Sequence, residues 1–88
     1  MVNICITFNG NGHAQVSVNG SSHYHNSYHQ QSSGCISQFL APGTYSIGIV
    51  GTAGAGGAII DITGQKNPPQ INDHAAAGPL IKTYFIEV

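Results

Sequence analysis

The side chains best suited to chemistry in this 88-residue chain are crowded into residues 21–34, which read Ser-Ser-His-Tyr-His-Asn-Ser-Tyr-His-Gln-Gln-Ser-Ser-Gly. The stretch holds no aliphatic residue, three of the five histidines and two of the four tyrosines. In an extended chain, alternate side chains share a face. His23, His25 and His29 then share one face, and Tyr24 and Tyr28 the other. His23 and His25 would stand about 6.5–7 Å apart along the strand, a spacing that suits two ligands of one Zn, Cu or Ni ion. His29 lies roughly 13 Å beyond His25 and joins them only if the chain bends. His13 or His74 would have to supply a further ligand. The plain alternative is a solvated polar strand.

The same stretch suits a second ligand class. A sugar offers an apolar face and many hydroxyls, so its sites combine aromatic rings with neutral amides and hydroxyls. Tyr24, Asn26, Tyr28 and His29 are the candidate ligand-binding residues on this reading, and His23 and His25 the candidate metal ligands. Against it stands the reading in which the tyrosines serve the core and the histidines face outward. The chain has no Trp.

Other chemistries lack parts. Residues 51–57, Gly-Thr-Ala-Gly-Ala-Gly-Gly, follow a strand pattern and invite a phosphate-loop reading. A phosphate loop opens a helix and ends in Gly-Lys-Ser/Thr, whereas Ala58-Ile59-Ile60-Asp61-Ile62-Thr63 reads as a strand. The run is therefore expected to be a mobile sheet connection or a place of close packing at a subunit contact. No H-E-x-x-H, no G-x-S-x-G and no close carboxylate pair is present, and the neighbours Asp73 and His74 point apart in an extended chain. We expect no enzyme activity and no cofactor unless the histidines take a metal.

Charge narrows the partners. Charged residues are 6% of the chain, against about 25% in ordinary soluble domains. Lys66 and Lys82 face Asp61, Asp73 and Glu87, for a net charge of −1. Nucleic-acid binding needs several cations, so no nucleic-acid partner is expected. No apolar run is long enough to enter a bilayer as a helix, so no membrane insertion is expected. Residues 1–7 have no positive region and do not read as a signal peptide. The Gly, Ser, Asn and Gln content points instead to a secreted or surface-associated protein, and a cytoplasmic one stays open. Cys5 and Cys35 leave two readings, reduced core thiols or one bridge.

The elements that must position these residues are strands. Val2, Ile4, Ile6 and Phe8 alternate with polar residues, as do Ala14, Val16 and Val18. Asn9-Gly10-Asn11-Gly12 between them predicts a β-hairpin over residues 2–19. A short polar strand is expected over 22–29 and apolar strands over 35–40, 45–49, 59–62 and 80–88. Residues 65–79, with three prolines, read as an ordered loop, and one helical turn over Ile71 to Ala77, favoured by Ala75, Ala76 and Ala77, is the alternative weighed against it. About seven strands with frequent turns predict one domain over residues 1–88, an all-β, small antiparallel β-sandwich, with Greek-key connectivity among the options.

Leu40-Ala41-Pro42-Gly43-Thr44-Tyr45 resembles the L-x-P-G-x-Y corner of bacterial Ig-like and transthyretin-like sandwich modules. The resemblance covers about ten residues. It implies a turn before a central strand, a tyrosine packed across that turn, and a non-catalytic role in adhesion, sugar binding or spacing. The leading expectation is a non-enzymatic binding module for a glycan or other polar ligand. The alternative is a structural subunit that self-assembles, and after it a His-based metal site. Residues 1–65 contain no lysine to blunt a sheet edge, so the edges are expected to meet other subunits or the 65–79 loop, giving a homo-oligomer or part of an assembly.

Overall fold

The computed structural model describes residues 1–20, 25–30 and 34–88, with the backbone alone at 25–30. It has the expected class, an all-β sandwich of two antiparallel sheets. The strands are β1 (Val2–Phe8), β2 (Gly12–Gly20), β3 (His25–Gln30), β4 (Gly34–Gln38), β5 (Thr44–Ala53), β6 (Ala58–Thr63), β7 (Gln70–Ala75) and β8 (Gly78–Glu87). One sheet has the order β4-β1-β6-β7 and the other β3-β2-β5-β8.

The two orders match strand for strand. β1 leads into β2, β5 into β6 and β7 into β8, each pair passing from one sheet to the other at the same end of the molecule, and β3 and β4 take the matching edge places in the two sheets. The fold is thus one four-stranded sheet of long strands bent double across a crease. In the β1–β6 ladder Phe8 pairs with Ala58, and beyond the crease Gly12 pairs with Ala53 in the β2–β5 ladder. The ribbon keeps its pairing through the bend, with Asn9, Gly10 and Asn11 in one arch nested against residues 54–57 in the other.

This corrects the expected β1–β2 hairpin. β1 bonds to β4 and β6, and β2 to β3 and β5. Alternation and an Asn-Gly turn suit an arch between sheets as well as a hairpin within one. The arches are bonded backbone to backbone: Asn9 N donates to Gly57 O at 3.1 Å and Gly56 N to Asn9 O at 2.9 Å. The glycine run is therefore packed, and the mobile connection is corrected. A Cβ on Gly54 would collide with the Asn11 carbonyl oxygen, and Gly57, at φ +76°, lies against the carbonyl oxygen of Ala75, the last residue of β7. Only glycine combines that backbone conformation with so close an approach.

The core fills the space inside the bend. Val2, Ile4 and Ile6 of β1, Val16 and Val18 of β2, Ile47 and Ile49 of β5 and Ile60 and Ile62 of β6 are at most 1% exposed. These four strands are the central ones, so the strongest alternation in the sequence lies where both neighbours are paired. Each such side chain stabilises the fold by roughly 1.5–3 kcal/mol through burial. At the open end, away from the crease, residues 39–43 carry the chain from β4 to β5. Tyr45 is buried there and its hydroxyl donates to the Ala41 carbonyl at 2.6 Å, across the Ala41-Pro42-Gly43 turn.

One further expectation changes, and one open alternative is decided. The 65–79 loop contains β7, and the helical turn is absent: pairing with β6 from Ala58–Ala75 to Thr63–Gln70 overrides the helix preference of alanine. Cys5 and Cys35 are cross-strand partners joined in a disulfide, on the outer face of β1 and β4 rather than in the core. The bridge fastens the edge strand β4 to the central strand β1.

Two stability outcomes follow. Gly54→Ala should lower the urea-unfolding free energy by about 2–3 kcal/mol. Gly48→Ala, where an added Cβ meets nothing within 4 Å, should be neutral or stabilise by about 0.5 kcal/mol. Equal effects would contradict nested arches. Replacing Cys5 and Cys35 together by serine opens a bridge of sequence separation 30 and should cost about 3 kcal/mol by the same assay.

Candidate functional site

The residues singled out in the sequence divide between the described and the undescribed chain. His23 and Tyr24 lie outside the described residues. His25, Asn26, Tyr28 and His29 belong to β3, an edge strand that pairs with β2. By register His25 stands opposite Asn19 and His29 opposite Gln15, whereas Asn26 stands opposite Val18 and Tyr28 opposite Val16. Asn19 and Gln15 are exposed, and Val16 and Val18 are core residues. His13 is on β2 of the same sheet, while His74 is on β7 at the far edge of the other sheet. His74 therefore does not join the β3 histidines. Among the described residues no three His, Cys, Asp or Glu side chains gather as a metal site would need.

The register extends β3 into rows that cross the whole sheet. Asn19 pairs with Ser46 and Ser46 with Phe85; Ser17 pairs with Gly48 and Gly48 with Thr83; Gln15 pairs with Val50 and Val50 with Ile81. Among the described residues this outer face carries one charged side chain, Glu87, and it is unusually apolar along β8. Phe85 is 75%, Ile81 72% and Val50 56% exposed. Gly48 leaves a gap in the middle row, since a Cβ there would stand in open space.

At the open end the first row runs into a depression of about 560 Å³. Its walls include Asn19, Ser46 and Phe85 from the sheet, Glu87 from the end of β8, and Asn67 and Pro68 from the segment before β7. The Asn67 segment is held in place by backbone bonds. Glu87 N donates to Asn67 O at 2.7 Å, and Asn67 N and Lys66 N donate to Glu87 O at 3.1 and 2.8 Å. An exposed ring is thereby set beside neutral amides, a hydroxyl and a single carboxylate. Sequence reading missed this site because its residues come from β2, β5, β8 and the segment before β7. The one local signal is the alternation of Leu80 and Ile86, buried at 1% and 2%, with exposed Ile81 and Phe85.

A second polar group closes the side of the sandwich, where β7 lies over β8. The Tyr84 hydroxyl donates to Asp73 Oδ2 at 2.7 Å, Lys82 Nζ lies 3.4 Å from the same oxygen, and the His74 backbone N–H donates to Asp73 Oδ1 at 2.8 Å. The Asp73 carboxylate serves these donors, and the His74 contact is through its backbone. The tyrosine hydrogen bond foremost, then the His74 N–H, hold the Asp73 carboxyl below its ordinary range. Burial first, then the bond to Asp73, push the Tyr84 phenol well above its own. These groups tie the sheets together. No family model, curated protein or solved structure matches the chain.

The signs of these shifts predict the pH profile. A depressed carboxyl pKa contributes stability above the unfolded-state value near 4 and loses it as pH falls through the folded-state value. A raised phenol pKa contributes stability below about 10 and loses it as pH rises further. The urea midpoint should be flat near neutrality and fall at both extremes. Tyr84→Phe should weaken the alkaline fall and shrink the acid one; a midpoint profile identical to wild type would contradict the cluster.

Proposed function

We propose that the protein is a non-enzymatic binding module, and that its ligand is a neutral, hydroxyl-rich molecule of the glycan class seated in the open-end depression. The observation that carries this reading is the Phe85 ring, 75% exposed and set among Asn19, Ser46, Asn67 and Glu87. A pyranose ring would lay its C–H face on Phe85 and offer hydroxyls to the two amides, Ser46 and the Glu87 carboxylate. The depression lies within the usual size of a small-molecule site, about 300–1,000 Å³. His25 stands next to this row through its pairing with Asn19, so β3 borders the site.

A secreted or surface-associated role accords with this reading. The Cys5–Cys35 disulfide fits an oxidising compartment. A low charge and a rigid sandwich suit a protein that presents a surface rather than one that moves around a substrate.

Titration calorimetry against a panel of neutral mono- and oligosaccharides tests the proposal. At least one sugar should bind, and Phe85→Ala should weaken it by about tenfold or more, the loss of one stacked ring. Thr52→Ala, at the crease end of β5, should leave affinity unchanged. Absence of heat with every sugar, or equal affinity in Phe85→Ala, would sink the glycan reading.

A further inference from the structure

We propose that β8 is a docking edge for a second copy of this chain, the two β8 strands running antiparallel about a two-fold axis at Ile81. Both backbone groups of Glu87 bond to Asn67, away from β5. The β5–β8 ladder runs without interruption from Thr44–Glu87 to Ala53–Gly78. Alternation along an antiparallel strand then turns the N–H and C=O groups of Ile81, Thr83 and Phe85 to the open edge, where among the described residues they meet no backbone partner. Pro79 offers only its carbonyl there.

Natural edges are short, charged, bulged or covered. β4 has five residues, and on β7 the His74 N–H is already taken by its neighbour's carboxylate. β8 has ten residues, and its only lysine is Lys82, which is paired with Asp73. Its exposed side chains from Pro79 to Phe85 are uncharged, and Pro79, Ile81 and Phe85 among them are apolar. Such an edge is a template for another strand.

The chain itself selects the register. An axis at Thr83 would bring Pro79 of the second copy opposite Glu87, into the place that Asn67 holds. An axis at Lys82 would set two ammonium groups face to face, which is unfavourable for directly opposed residues. An axis at Ile81 meets neither obstacle. It overlaps residues 79–83, sets Lys82 opposite Leu80 of the second copy, and lets the Ile81 N–H and C=O bond reciprocally. The Thr83 N–H then reaches the Pro79 carbonyl, and the Thr83 carbonyl, which finds no N–H on Pro79, stays with solvent at the end of the overlap. On the outer face the row Val50–Ile81 continues into Ile81 and Val50 of the second copy, one apolar stripe made from two half-exposed ones. Phe85 stays outside the overlap, so the dimer leaves the depression open.

The test is sedimentation equilibrium of the intact chain, with cysteine cross-linking to fix the register. Wild type should associate reversibly toward twice its 9.1 kDa mass at about 0.1–1 mM. Ile81→Lys places like charges at the axis and should give a monomer with an unchanged circular dichroism spectrum, since residue 81 is 72% exposed. Ile81→Cys should form a covalent dimer under mild oxidation, because directly opposed hydrogen-bonded residues have Cα atoms about 5.5 Å apart, within disulfide reach. Thr83→Cys should not. A monomeric wild type, a dimer that survives Ile81→Lys, or cross-linking through Thr83→Cys instead of Ile81→Cys would overturn the proposal. Sugar binding reads separately: Phe85→Ala should leave the dimer intact, so a failed sugar titration beside a normal dimer removes the ligand reading alone.

Discussion

The structure depends on close backbone packing at the crease. Two arches, residues 9–11 and 54–57, sit one inside the other with hydrogen bonds between Asn9 and both Gly56 and Gly57. Side chains on the inner arch would hold the two backbones apart, as the collision of a Gly54 Cβ with Asn11 shows. With the arches nested, β1–β6 and β2–β5 become two halves of one folded ribbon. The alternating isoleucines and valines of all four strands then face each other across the bend, and the core follows from that geometry. The glycine run that superficially invites a phosphate is thus the hinge line of the sheet.

Bending a sheet double has consequences for its outside. Each long strand contributes one outer stripe per sheet, and the stripes differ. The β4-β1-β6-β7 face is polar and fastened: it carries the disulfide, the Ser37–Asn3 hydrogen bond at 2.6 Å and the Gln70–Asp61 bond at 3.2 Å. The β3-β2-β5-β8 face carries the exposed phenylalanine, isoleucine and valine, with Glu87 the one charged side chain among its described residues. A chain with so few charges does not shield such a face electrostatically. The Asn67–Glu87 bonds join the two regions of interest on that side. They wall the depression beside Phe85, and they stop strand addition at the end of β8.

Much of the fold was legible in the sequence. Period-two alternation marked the central strands, and Pro42-Gly43 with Tyr45 marked the turn whose hydroxyl-to-carbonyl bond the structure contains. Partner choice was not legible. Asn9-Gly10-Asn11-Gly12 has the chemistry of a tight turn in either setting, and whether it joins strands within a sheet or between sheets is decided by residues 54–57, more than forty positions away. β7 was hidden for a related reason. Gln70, Asn72 and Asp73 have weak strand preference and the alanines favour helix, so the strand exists because β6 pairs with it and Tyr84 holds Asp73. For the site, the parity of the histidine stretch was readable, and the β2–β3 register keeps His25 and His29 opposite exposed positions and Asn26 and Tyr28 opposite core positions. The depression around Phe85 was not readable, because it is assembled from four separate parts of the chain.

The central claim is that this folded sheet presents one working face, the outer side of β2, β5 and β8, ending in the depression at Phe85. Amide chemical-shift mapping by NMR during titration with a neutral oligosaccharide tests it most directly. The account predicts that the largest shifts cluster at Asn19, Ser46, Asn67, Phe85 and Glu87, with the amides of β1 and β6 unmoved. Shifts centred on the disulfide-bearing face, or no shifts with any sugar that the protein is offered, would contradict it.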